Sequence, residues 1–196
     1  MEEANILTPD EEKLLTAVGY LVMRWNYAEH FARMILRQYL SGDSLHDQDH
    51  MNLSRLPAGG IEKDLENKAL PNWHEPGRSF LEHLIAAFAS GRNHRNHIVH
   101  RIYDTTEAGG EYPAHTILII GKPERGKYYF SPAIGLKELQ EISHHFHDIA
   151  MFAREVSLTF KKDGSVACNK DGSPVMPAFP TVISPLPDVE LIPIDR

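Results

Sequence analysis

The chain has 196 residues, of which 42% are hydrophobic and 24% are charged, and these values are typical of a globular protein. No apolar run reaches the ~20 residues that a membrane-spanning helix needs, and the acidic N-terminal segment differs from a signal peptide. The single cysteine, Cys168, excludes an internal disulfide, and the net charge of −7 argues against broad, non-specific nucleic-acid binding. We therefore expect a cytoplasmic protein that has no membrane partner and at most a local basic site.

Three long helices are predicted from apolar residues that recur at intervals of three and four positions. The first spans residues 10–40, the second runs from Pro76 to Ile102, and the third from Gly135 to Phe160. The polar connection over 42–77 holds at most one short helix, around Ile61–Leu70. The predicted core positions are Leu14, Val18, Leu21, Trp25, Ala32, Leu36 and Tyr39 in the first helix, Leu81, Leu84, Ile85, Phe88, Ile98, Val99 and Ile102 in the second, and Leu139, Ile142, Phe146, Ile149, Ala153, Val156 and Phe160 in the third.

Two short runs of strand-forming residues, His115–Gly121 and Lys127–Ser131, are joined by a five-residue loop and predict a β-hairpin. We expect its aromatic residues, Tyr128, Tyr129 and Phe130, to pack on the helices, with stacking on a nucleic-acid base as the alternative.

The character of the sequence changes after Lys162. The motif Lys-Asp-Gly-Ser occurs at 162–165 and again eight residues later at 170–173, and six of the 13 prolines then fall between Pro174 and Pro193. This pattern predicts a small hairpin followed by an extended arm.

The predicted fold is mainly α, an antiparallel helical bundle with one small β-hairpin insertion and a Pro-rich C-terminal arm. Residues 1–162 would form the bundle, with the hairpin at about 115–131. Residues 163–196 would form the turn-rich, Pro-rich arm.

A polar segment, Gly91-Arg-Asn-His-Arg-Asn-His97, interrupts the apolar stripe of the second predicted helix. On an ideal helix, Arg95 projects into the middle of this stripe. Arg92, Asn96 and His100 line one flank of the stripe. The positions on the solvent side are His94, His97 and Arg101.

An arginine in a buried stripe is costly unless it has a partner. Glu29 lies close to the centre of the stripe of the first helix, so the sequence predicts a Glu29–Arg95 ion pair between the two helices. A purely structural pair that fixes the register of the helices and a functional pair are equally compatible with this spacing.

The segment Arg95-Asn96-His97-Ile98-Val99-His100 resembles the R-x4-H motif of HEPN-domain proteins, with the polar residue that they favour directly after the arginine. In that superfamily the motif lies late on a helix of a four- or five-helix bundle, and an earlier long helix commonly carries an interior acidic residue, as Trp25-x3-Glu29 does here. The resemblance covers roughly residues 10–160. The hairpin at 115–131 and the residues after 163 are not part of the minimal bundle.

The resemblance implies a metal-independent endoribonuclease that uses no cofactor and in which two copies of the motif meet at a homodimer interface. His100 would be the general acid or base of 2′-hydroxyl transesterification, since a histidine titrates near neutral pH. Arg95 would stabilise the charge on the phosphate, and Asn96 would orient the histidine or the substrate. Arg92 would add a phosphate contact, and Glu29 would hold Arg95.

The partners expected from this resemblance are a second copy of the chain, an RNA substrate and a protein such as an antitoxin. A catalytically inactive HEPN-like dimer that binds a protein or nucleotide partner is the alternative. A structural helical protein with a Glu29–Arg95 core pair is a third interpretation that the sequence leaves open.

Two histidine clusters have some of the features of a metal site. His144-His145-x-His147 with Asp148 fans over the outer face of the third helix, so a solvated surface is favoured over a ligand set. His46-x3-His50 has ligand spacing only if it is helical, and it lies in a polar connection without supporting context. No metal is therefore expected.

Overall fold

The computed structural model describes residues 9–40, 52–99, 102–105, 117–120, 128–175 and 192–194. It is mainly helical, as the sequence predicts. The helices are α1 (Pro9–Leu40), α2 (Ala58–Asp64), α3 (Gly77–Val99) and α4 (Leu136–Thr159), and a further helical turn lies at 52–55. After α2 the chain continues as a π-helical turn at Leu65–Ala69 and a 3-10 turn at Leu70–Asn72. Within the described ranges, no helix combines the length and the apolar character that crossing a bilayer requires.

The strands are β1 (Ile102–Thr105), β2 (Ile117–Ile120), β3 (Tyr128–Ile134) and β4 (Ile192–Ile194). They form one sheet in the order β1-β2-β3-β4, and all neighbours are antiparallel. β2 falls within the first run that predicts the hairpin, and β3 begins within the second run and continues three residues beyond its predicted end at Ser131. β4 falls within the segment predicted as an extended arm. The side chains of Tyr128, Tyr129 and Phe130 lie outside the described part of the structure, so both interpretations of them stay predictions.

The second long helix ends earlier than predicted. α3 stops at Val99, and Ile102 begins β1 instead of closing the helix. The sequence Ile-Tyr-Asp-Thr explains the difference, because three of its four residues are β-branched or aromatic and favour a strand. The short helix also differs, since α2 begins at Ala58, three residues before the predicted start.

The chain divides into two compact units. The first unit comprises Met1–Met23, Asn93–His144 and Pro187–Arg196, and it contains the four-stranded sheet. The second unit comprises Arg24–Arg92 and His145–Leu186. Each unit is described by itself below.

The core of the second unit is built around Trp25. Its indole ring lies between Phe88 of α3 and Phe146 of α4, with ring centroids 4.7 and 5.0 Å away, and all three side chains are fully buried. These rings occupy the predicted stripes of three different helices. Burial of such large aromatic groups is a dominant stabilising contribution to a core of this size.

The contacts also fix the directions of the helices in this unit. α1 and α4 run parallel, because Trp25 contacts Phe146 and, further along both helices, Gln38 donates to the carbonyl of Ser157 at 2.7 Å. α3 runs antiparallel to α4. Phe88, in the middle of α3, and Phe146, near the middle of α4, both contact Trp25, whereas Phe80, early in α3, stacks on Phe160 after the end of α4 with a centroid distance of 5.3 Å.

Gly91 is a point of close approach between α3 and the helices α1 and α4. A Cβ at this position would lie 2.8 Å from Cζ3 of Trp25 and 2.9 Å from Cδ1 of Ile149. Both distances are shorter than van der Waals contact, so only glycine allows the helices to pack this closely.

The repeated Lys-Asp-Gly-Ser motif forms two successive tight turns at 161–165 and 169–173. In each turn the first residue donates to the carbonyl of the fifth, through Lys161 to Ser165 at 2.8 Å and Asn169 to Ser173 at 2.7 Å. The chain therefore reverses twice, where the sequence predicts one hairpin, because each copy of the motif makes its own turn. Bridges between Phe160 and Val166 and between Cys168 and Pro174 follow from these reversals.

Candidate functional site

Of the R-x4-H segment, Arg95 and Asn96 lie in the last turns of α3, and His100 lies outside the described residues. Arg95 is half-buried, and its Nη1 donates a hydrogen bond to Oδ1 of Asn96 at 3.2 Å. The angular relation between Arg95 and His100 assumed a helix that continues to Ile102. Because His100 lies outside the described residues, that relation stays a prediction.

The prediction that His94 faces solvent is wrong. His94 is buried, with only 9% of its surface exposed, whereas His97 is half-buried. The buried face of α3 includes the small residues Ala87 and Gly91, which precede His94 by seven and three positions and therefore share its side of the helix. The centre of the buried face of α3 therefore lies closer to these small residues than the large apolar residues alone indicate. Arg101 lies outside the described residues.

Arg92 is engaged by an acidic residue that the sequence did not single out. Its Nε lies 2.7 Å from Oε2 of Glu62, which is on α2. The contact is an ion pair that lacks the alignment of a hydrogen bond, because neither atom has a hydrogen-bond partner. Thirty positions separate the two residues in sequence, and no local periodicity marks such a pair.

Glu29 accepts hydrogen bonds at both carboxylate oxygens from its own helix. Oε1 accepts from the indole Nε1 of Trp25 at 2.6 Å, and Oε2 accepts from Nη2 of Arg33 at 2.8 Å. The same Nη2 of Arg33 also donates to the carbonyl of Leu56 at 2.9 Å. Glu29 thus connects the central tryptophan of the core to the chain segment before α2.

Glu29 belongs to the second unit and Arg95 to the first, so the Glu29–Arg95 pair stays a prediction. The Trp25 and Arg33 partners of Glu29 were missed, although their spacing of four residues on each side is the standard signal for neighbours on a helix face. The sequence interpretation assigned Trp25 only to the core and did not consider its polar N–H.

The histidine cluster of α4 was predicted to form a solvated surface, and most of its members are exposed. His144, His147 and Asp148 are exposed, whereas His145 is half-buried. In the ranges that the structure covers, no group of three or more histidine, cysteine or acidic side chains is arranged to hold a metal ion. His46 and His50 lie outside those ranges, and Cys168 is an exposed free thiol.

No protein-family model matches this chain, and neither the curated proteins nor the solved structures contain a match. The resemblance to HEPN-domain proteins rests on the motif residues of the sequence and stays a prediction.

Proposed function

We propose that this chain is a HEPN-like endoribonuclease, which cleaves RNA without a metal ion at a homodimer interface. The observation that carries the proposal is Arg95, a half-buried guanidinium near the end of a long helix, hydrogen-bonded to Asn96 and followed five positions later by His100. In its finer detail, the proposed architecture is an antiparallel bundle with a β-hairpin insertion and a Pro-rich C-terminal arm.

The reaction needs two proton transfers and stabilisation of charge on phosphorus. One histidine removes the proton of the 2′-hydroxyl as its oxygen attacks the adjacent phosphate, and a second acid protonates the leaving 5′-oxygen. The products are a 2′,3′-cyclic phosphate and a 5′-hydroxyl. Two copies of His100, one from each protomer, would supply the base and the acid, and Arg95 would stabilise the charge that accumulates on the phosphate oxygens.

The contact between Arg95 and Asn96 gives Asn96 a more specific role. Because its Oδ1 accepts from Nη1 of Arg95, the amide holds one edge of the guanidinium. A planar guanidinium with a fixed orientation is suited to paired hydrogen bonds with a phosphate. Asn96 would thus orient Arg95 rather than the histidine.

A catalytically inactive dimer that binds a protein or nucleotide partner, such as an antitoxin, is the second candidate. The Arg92–Glu62 ion pair favours it, because Glu62 offsets a positive charge that was expected to contact phosphate. The net charge of −7 favours it as well, since RNA-binding surfaces are usually basic.

The test is cleavage of a labelled mixed RNA pool by wild type and by the His100→Ala variant, both in excess EDTA. We expect wild type to leave 2′,3′-cyclic phosphate ends, and the variant to lose at least about 100-fold in rate, the usual contribution of a general acid or base. His147→Ala is the matched control, because His147 is an exposed histidine on α4 and its loss should leave cleavage unchanged.

Equal cleavage by wild type and His100→Ala would remove His100 from the reaction. No cleavage by either protein, with a dimer present in sedimentation equilibrium, would favour the binding module over the nuclease.

A further inference from the structure

We propose that Glu62 is a positioning residue for Arg92, whose guanidinium it holds by the Nε edge so that the edge formed by the two Nη atoms binds a phosphate of RNA. This inference rests on the proposed RNA substrate. In this interpretation, the ion pair with Glu62 orients Arg92 for phosphate binding instead of only neutralising its charge.

The contact occupies only one part of the Arg92 side chain. Nε of Arg92 and Oε2 of Glu62 are 2.7 Å apart and both atoms are buried, yet the two side chains are 29% and 20% exposed. The exposed surface of Arg92 therefore lies on its other atoms. Among the described residues, Glu62 is the ion-pair partner of Arg92, and the shortest distance between the two groups is at Nε.

Gly59 provides the second half of the arrangement. A Cβ at Gly59 would lie 3.3 Å from Nη1 of Arg92, so the guanidinium rests against backbone that carries no side chain. Gly59 and Glu62 are three positions apart on α2 and therefore share one helix face. One face of α2 thus supplies both the carboxylate that holds Arg92 and the flat surface beside it.

A guanidinium can serve two anions at once because its Nε edge and its Nη edge each present donors in a plane. Glu62 lies beside Nε as an ion partner without an aligned hydrogen bond, and the Nη edge is the one proposed to form paired hydrogen bonds with a phosphate. A side chain that is already held in place loses less conformational freedom when the phosphate binds.

Glu62 has two opposing effects on phosphate binding. Its negative charge repels the phosphate, whereas its contact with Nε orients the guanidinium. If Arg92 were only a mobile positive charge, removing the carboxylate would strengthen RNA binding. If Glu62 is a positioning residue, the same change weakens binding, so the sign of the effect decides between the two.

The experiment measures binding of a fluorescent 2′-O-methyl RNA pool to the full chain by anisotropy. This RNA cannot be cleaved, because it lacks the free 2′-hydroxyl. We expect Glu62→Gln to weaken binding about threefold to tenfold, the effect of releasing one ordered side chain, although the net charge changes from −7 to −6.

Glu82→Gln is the matched control. Glu82 also pairs with an arginine of α3, with Nε of Arg78 3.1 Å from its Oε1, but both side chains are nearly half exposed. The control makes the same change in net charge and removes an exposed i, i+4 pair that has little energetic effect. We expect RNA binding to be unchanged or slightly tighter.

Gly59→Ala tests the arrangement without any change in charge. Its new methyl group would displace Nη1 of Arg92, so we expect weaker RNA binding than in wild type, by less than in Glu62→Gln. Alanine is a better helix former than glycine, so the thermal midpoint should not fall. Gly19→Ala is the control, because nothing lies within 4 Å of the methyl group it would add to α1.

Arg92→Ala completes the test. If Glu62 acts through Arg92, adding Glu62→Gln to Arg92→Ala should have no further effect on RNA binding. Unchanged or tighter binding by Glu62→Gln, with a wild-type circular dichroism spectrum, would overturn the inference, and so would a wild-type chain that does not bind the RNA. Binding with the expected pattern but without cleavage of natural RNA would support the inference while rejecting the nuclease.

Discussion

The two Lys-Asp-Gly-Ser turns have the same sequence and the same local geometry, but their surroundings differ. In both turns the aspartate Oδ1 accepts hydrogen bonds from the backbone N–H and the hydroxyl of the serine two positions later. Both glycines adopt a positive φ, +80° at Gly164 and +83° at Gly172. Four residues are thus sufficient to specify the turn, wherever it lies on the molecule.

Only the first turn is built into the core of its unit. Gly164 is buried, and the backbone N–H of His74 donates to the carbonyl of Asp163 at 2.8 Å. The second turn is exposed, and nothing lies within 4 Å of the position that a Cβ on Gly172 would occupy. The comparison separates what a local motif determines, which is the chain reversal, from what its surroundings determine, which is its contribution to stability.

The largest expected difference between the turns comes from replacing their glycines. A Cβ at Gly164 would lie 2.6 Å from the carbonyl oxygen of His74, so Gly164→Ala adds steric overlap to the cost of a positive φ. We expect a loss of about 3–4 kcal/mol in the free energy of unfolding, against about 1–2 kcal/mol for Gly172→Ala, which carries the backbone cost alone. Urea denaturation of both variants measures this difference. Equal losses would show that the packing around Gly164 is unimportant.

A smaller difference is expected from the aspartates. Asp163→Ala removes two hydrogen bonds from a turn that is joined to His74, so the thermal midpoint should fall. The free energy of unfolding should decrease by less than about 1 kcal/mol, because the carboxylate is exposed. Asp171→Ala removes the equivalent bonds from a turn that supports nothing else, and its thermal midpoint should stay closer to that of wild type. A larger effect at Asp171 would contradict the comparison.

The smallest effect concerns pH. The pKa of Asp163 and that of Asp171 lie below the usual 3.8, chiefly because the hydroxyls of Ser165 and Ser173 donate to the charged carboxylates. These two carboxylates bind protons more readily in the unfolded chain than in the folded protein. Their contribution to the stability of the folded protein is therefore present above about pH 3.8 and is lost as the pH falls through the lower folded pKa. We expect the difference in urea midpoint between wild type and Asp163→Asn to shrink below this pH. A constant difference would show that the charge of Asp163 does not contribute.

The same division between local and long-range information explains which predictions succeeded. The three long helices follow from their own apolar spacing, and the start and end of α1 and α4 lie within one residue of the prediction. The end of α3 was misplaced because Val99 and Ile102 continue an apolar pattern that a helix and a strand both satisfy.

The site shows the limit more sharply. Arg92 and Arg95 were identified from the sequence because charge in an apolar stripe is conspicuous, whereas Glu62 lies in an ordinary polar segment 30 positions away. Gly59 and Gly91 were not recognised as close contacts, because a glycine that allows close approach has the same local sequence signal as one in open space. The role of Glu62 and that of the two glycines both depend on contacts with residues that are distant in the sequence.

The close approach at Gly91 also restricts how α3 can move. A screw motion of the helix by one residue, about 1.5 Å along its axis with a rotation of about 100°, would bring the side chain of Ser90 or Arg92 to the place beside Trp25 and Ile149 where even a methyl group does not fit. A one-residue change in the register of α3 against these neighbours is therefore blocked. Arg95 and Asn96 thus lie on a helix whose register at Gly91 is set by the absence of a side chain.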